Sequence, residues 1–248
     1  MLDAVDPFDK AHWTIEPGVL RIAIYPGFPP FAWMESDGLR GMDPAVLRGF
    51  ANRHGMQVKI VRHAFHGIWE LPGKGLADVA ASGLTVRRDR SAHGMAWSQV
   101  YGRVRRAALV RPDSRSLLGS GKFRRPVRLG VVRGSAAHLH ARRRLPRGSE
   151  LVFCDGLREG VHELLDRRLD ALGTGTASAC HLAEQHPLQA VELDMGTGFD
   201  EQLAYAVRDH PGLRSALDAY LAQRMAVSGL TSTSRTSCGE FLWAGDGI

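Results

Sequence analysis

Apolar residues along this chain come in two kinds of run that take turns. Val19 to Ile24 is a short branched run that reads as a buried strand, stopped by Pro26-Gly27 and Pro29-Pro30. Beyond it, Val46, Leu47, Phe50 and Ala51 recur at helical spacing. Asp43 suits the N-cap of that helix, Pro44 its first turn and Gly55 its stop. Residues 57–61 alternate as a strand, and 78–81 form a short strand running into Ser82-Gly83-Leu84-Thr85. The same order then recurs. Strands are predicted at 128–132, 151–153, 170–172 and 203–207, with helices opening at Gly134-Ser135, spanning 157–169 and 176–185, and starting at Pro211. Two successive βαβ sets predict an α/β chain whose ligands sit in the loops at the carboxyl ends of the strands. Those loops follow Ile24, Ala81, Val132 and Leu172.

Composition narrows the classes. At 248 residues, 44% hydrophobic and 23% charged, the chain has material for one large domain or two lobes, and it is unlike a disordered, collagen-like or coiled-coil sequence. No apolar run approaches the ~20 residues of a spanning helix. Cys154, Cys180 and Cys238 are odd in number and widely spaced, so each is expected to be a small buried thiol rather than part of a disulfide scaffold or zinc ribbon. The net charge is +6, and only four of the 32 basic residues are lysine. Arginine clusters such as Arg103-Arg105-Arg106 come without any nucleic-acid-binding motif, so they read as a solvated basic face compatible with an anionic small ligand. His138 and His140, two apart on a helix, diverge and make a poor metal pair. With no phosphate loop, dinucleotide fingerprint or zinc spacing, no metal and no cofactor is expected. Residues 1–17 hold Asp3, Asp6, Asp9 and Glu16 where a secretory signal would be basic and then apolar. The chain as written therefore reads as cytoplasmic, or as periplasmic or extracellular if an exporting segment has been removed.

Several motifs together resemble one family. LRIAIYPGFPPFAW (20–33), GMDPAVLRGFANRHG (41–55) and GLADVAASGLTVRRDR (75–90) are followed by MAWSQVY (95–101), LGVVRGSAA (129–137) and EQLAYAVR (201–208). In order and spacing this run is similar to the type II periplasmic solute-binding proteins of the polar amino-acid class. The final stretch, SGLTSTSRTSCGEFLW, departs from the family's usual ending. The resemblance implies a two-lobed α/β fold, each lobe a mixed sheet flanked by helices, joined by hinge strands near 102–106 and 199–204. Lobe 1 would take residues 1–103 and 203–248, and lobe 2 residues 104–202. The lobes would close on a small-molecule ligand, and a transporter would be the partner of an exported form; neither nucleic acid nor a membrane span is expected.

The chemistry of the motif residues agrees with that implication. Arg90 follows a turn carrying Ser82, Gly83 and Thr85, and its forked guanidinium matches a carboxylate in two parallel hydrogen bonds. Ser135 and Ala136 open a helix on the other lobe, where backbone N–H groups favour an anion. Tyr25, Phe28 and Phe65 fall on loops where the family lines its ligand, whereas Phe31 is expected in the core and Arg87 and Arg88 in solvent. Two departures stand out: Gly175 occupies the position of the family's ammonium-binding acid, and Tyr25 that of an acid on the first loop. Losing the acid leaves a buried ammonium unpartnered, so the ligand is expected to be a carboxylate other than a plain α-amino acid, with Thr174 or Thr176 as a neutral hydrogen-bonding group. The alternative is a cytoplasmic dehydratase similar to cyclohexadienyl dehydratase, acting on a prephenate- or arogenate-like substrate. That resemblance implies Glu201 as general acid, while His66, on the segment leading to the cleft, reads as a base or ligand-orienting group or as an exposed turn histidine.

Overall fold

The computed structural model describes residues 12–196, 200–227 and 240–241. Residues 1–11, and nearly all of the unusual C-terminal stretch, lie outside that range. Two five-stranded sheets of the same design carry the fold. In the first, Gln57–Arg62, Val19–Ile24 and Val79–Ala80 run parallel, and Ala206–Arg208 and then Met95–Trp97 add antiparallel. In the second, Glu150–Cys154, Arg128–Val132 and Ala171–Gly175 run parallel, and Arg106–Val110 and then Gln189–Glu192 add antiparallel. Between the sheets, Gly102–Val104 pairs antiparallel with Glu201–Leu203, placing Glu201 opposite Val104. These two segments lie where hinge strands were expected. Glu240–Phe241 pairs with the other edge of Gly102–Val104.

Strand alternation decides where each core sits. Leu20, Ile22 and Ile24 are fully buried against Leu47 and Phe50 of helix α1 (Met42–Arg53) and Leu213 and Leu217 of helix α5 (Pro211–Val227). In the second sheet, Leu129 and Val131 pack on Ala137 and Ala141 of helix α2 (Ala136–Arg144). Leu172, one residue out of phase, faces Leu164 of α3 (Leu157–Leu165) and Ala179 and Leu182 of α4 (Thr176–Gln185). Each of the larger of these side chains contributes about 1.5–3 kcal/mol by leaving water.

Local expectations needed four corrections. Helix α3 ends at Leu165, because Arg167 turns left-handed (φ 61°) and drops Leu169 into the core. The strand expected over 203–207 is two strands, since the chain crosses from the hinge into the first sheet at Ala204-Tyr205. Asp43 is not the N-cap of α1, a place taken by Gly41; its buried carboxylate reaches forward to the 82–83 loop. Cys154 is a buried free thiol, but Cys180 is disulfide-bonded.

Candidate functional site

The loops predicted to carry the site meet between the two sheets, and Asp43 organises one side. Its carboxylate accepts the N–H groups of Ser82 and Gly83 at 2.7 and 2.8 Å and the Tyr205 hydroxyl at 3.2 Å. Ser82 is thereby held at φ 101°, and its hydroxyl accepts the Tyr25 N–H at 2.9 Å. Gly83 takes φ +63° against the Phe31 ring; a Cβ there would lie 2.6 Å from that ring. Ser82 and Gly83 thus shape the loop, leaving Thr85 and Arg90 to present polar groups from it.

Arg90 is 1% exposed. Its Nη1 donates to the Thr85 carbonyl and hydroxyl, and its Nη2 donates to the Gly134 carbonyl on the opposite side at 2.9 Å. The guanidinium also lies over Trp69 and Phe65, 4.7 and 5.3 Å from their ring centres. Burial, and next the neighbouring Arg87, bring its pKa down to about 10, so it stays cationic at neutral pH. Among the described residues, all its hydrogen-bonding partners are neutral oxygens.

Tyr25, Phe28 and Phe65 form one edge-to-face cluster, with ring centres 4.7 to 5.6 Å apart. The Tyr25 hydroxyl donates to the Asp155 carbonyl across the interface, and burial raises its pKa. A cavity of about 150 Å³ opens beside it, among Pro29, Trp33, Gly156 and Arg158. Phe31 is in the core as expected. His66 is exposed at the rim; a Cβ on Gly134 would lie 2.7 Å from its Nδ1. Ser135 caps α2 by accepting the His138 N–H at 3.1 Å, and Ala136 begins that helix.

Gly175 pairs with Arg106 in the antiparallel ladder, and a Cβ there would lie 3.4 Å from Arg106 Nη2. Arg106 is 5% exposed and ion-paired with Glu201, while His140 stands 3.9 Å from Glu201. Gly175, where the resemblance implies that the family's acid is missing, therefore adjoins a buried cation. Thr174 is buried, and the Thr176 hydroxyl accepts the Arg105 N–H at 3.2 Å.

Sequence reasoning missed Arg106, Arg87 and Trp69. Arg106 sat within a basic cluster read as solvated, yet it opens Arg106–Val110, buried at every residue. Arg87 is half-buried rather than solvated and acts electrostatically on Arg90, Arg106 and His140; only Arg88 is exposed.

Among solved structures, the chain is similar to an ancestral amino-acid-binding protein described as a precursor of cyclohexadienyl dehydratase, at 23% identity and TM-score 0.74, over 86% of this chain and 91% of that one. It is also similar to holo ArgBP from T. maritima, at 25% identity and TM-score 0.72, over 83% and 90%. The GluR0 ligand-binding core in complex with L-glutamate matches at 17% identity and TM-score 0.73, over 85% and 94%. No curated protein matches the chain. The model of the bacterial extracellular solute-binding proteins, family 3, matches residues 20–235. With its paired α/β sheets and the strands that link them, the chain belongs to this family of two-lobed solute-binding proteins.

Proposed function

We propose that this protein is a solute receptor whose lobes, 1–103 with 203–248 and 104–202, close on a small organic carboxylate lacking an α-ammonium group. The observation that carries this reading is Arg90: a buried guanidinium, cationic at neutral pH, whose hydrogen-bond partners among the described residues are all neutral oxygens. A ligand carboxylate supplies the counter-charge, and each charge-assisted hydrogen bond is worth roughly 1.5–3 kcal/mol. Among similar structures, T. maritima ArgBP is arginine-bound and the GluR0 ligand-binding core is in complex with L-glutamate. An ammonium next to Gly175 of this chain would instead meet Arg106, which favours 2-oxo and 2-hydroxy acids over amino acids. Tyr25, Phe28 and Phe65 provide apolar walls for the ligand body. Disulfide-bonded Cys180 fits an oxidising compartment, hence an extracellular or periplasmic receptor feeding a transporter.

The pairing of Glu201 with Arg106 favours binding over dehydration, because a carboxylate engaged by a guanidinium serves as an acceptor rather than a proton donor. A thermal-shift panel tests the reading, since a ligand at 100 times its Kd stabilises by about 2.7 kcal/mol. Oxo and hydroxy acids are expected to raise Tm and their amino-acid counterparts to leave it unmoved; the reverse pattern would overturn the ligand class. Prephenate is expected to emerge unchanged, and conversion to an aromatic product would replace the receptor reading with the enzyme one.

A further inference from the structure

The second sheet carries a cavity of about 480 Å³ on its α2 face, and Thr174 is the only residue expected in the cleft that also lines it. Small residues make the space. Gly173 faces Val131, Leu129 and Ala137 without a side chain of its own, and Ala107 and Ala141 leave room beside it. Phe123, Leu145 and Leu193 complete an apolar wall.

The charged lining is one-sided: Arg106, Lys122, Arg143 and Arg144 against Asp194. Lys122 lies 3.1 Å from Asp194 and Arg106 is ion-paired with Glu201, so both pairs offset themselves and leave two arginines, Arg143 and Arg144. Arg143 and Arg144 are exposed on the last turn of α2. Arg106 is buried, and among the described residues its Nε–H has no hydrogen-bond partner although its Nη2 holds Glu201. A buried guanidinium with an open N–H costs free energy that an anionic acceptor recovers. The local field agrees, since burial and then Arg106, Arg87, Arg144 and Arg143 push the His140 pKa down to about 4. We propose that this cavity is a second binding site, on the α2 face of the sheet and sharing only Arg106 and Thr174 with the cleft, for a small organic monocarboxylate with an apolar chain.

Octanoate is the probe and 1-octanol its uncharged control, titrated calorimetrically into the full chain. Octanoate is expected to bind one site with an affinity at least ~10-fold above octanol. Reversing the rim charges (Arg143→Glu with Arg144→Glu) should weaken octanoate at least ~10-fold and leave any cleft ligand unaffected. Ala141→Leu, which grows a side chain from α2 into the cavity, should also weaken octanoate and keeps the test open if charge reversal perturbs folding. Arg90→Ala should leave octanoate untouched, so failure of this site and failure of the cleft assignment are distinguishable. No octanoate binding, equal binding of octanol, binding that survives both cavity variants, or binding abolished by Arg90→Ala would each overturn the proposal.

Discussion

Asp43 shows how one residue sets the site. Its buried carboxylate fixes the loop that presents Thr85 and Arg90, and burial lifts its pKa from 3.8 to about 6 despite the N–H groups of Gly83 and Ser82. A raised carboxylate pKa means that the folded state holds its proton longer than the unfolded chain does. Its contribution to stability is therefore full below pH 3.8, falls as pH rises and levels off above about 6. Two pKa units correspond to about 3 kcal/mol at most. Asp43→Asn stays neutral throughout, so its stability relative to the native chain should rise between pH 4 and 7 in urea titrations; a constant or falling difference would contradict the assignment. Asp43 was legible as important but not for the right reason. An Asp-Pro pair before an apolar stripe looks like a helix cap, and nothing local announces a bond to residues 82 and 83. Arg90 was singled out by the turn before it and by the family motif around it. Arg106 was not, because its burial comes from strand pairing across the second sheet.

At the scale of elements, the 82–85 loop depends on Gly83. Alanine at φ +63° is strained, and its Cβ would press on the Phe31 ring at 2.6 Å. Gly83→Ala should cost about 1–3 kcal/mol, read by chemical denaturation, and should weaken ligand binding by displacing Thr85 and Arg90. Unchanged stability and affinity would mean that the loop tolerates a different path. Helices and parallel strands were readable from their apolar periods, since each presents one face to a core. The meander Gly27–Phe28, Ala32–Glu35 and Gly38–Arg40 was not, because strands of two to four residues give alternation nothing to repeat over. The disulfide at Cys180 was invisible for a related reason: wide cysteine spacing says nothing about which thiols the fold brings together.

For the whole molecule, the two halves meet through specific polar and aromatic contacts. Tyr25 donates to the Asp155 carbonyl, Arg90 to that of Gly134, and Arg158 to that of Met34 at 2.8 Å; Trp33 lies 5.5 Å from the His181 ring. In the proposed receptor, such an interface would let small free energies shift the balance between open and closed populations. Tyr25→Phe keeps the aromatic packing and removes one hydrogen bond, a net loss of about 0.5–1.5 kcal/mol. Small-angle scattering should then show a larger radius of gyration, with ligand affinity down roughly 2- to 10-fold. An unchanged radius and affinity would show that this bond does not help hold the halves together.

The most direct test of the central claim is calorimetric titration of one 2-oxo acid from the thermal-shift panel, and of the amino acid sharing its side chain, into the native chain and into Arg90→Ala. The native chain should bind the oxo acid with one-to-one stoichiometry and the amino acid at least ~10-fold more weakly, because the ammonium meets Arg106 and no acid at Gly175. Arg90→Ala should weaken the oxo acid by ~10-fold or more. Equal affinities in the two proteins, or tighter binding of the amino acid, would contradict the account.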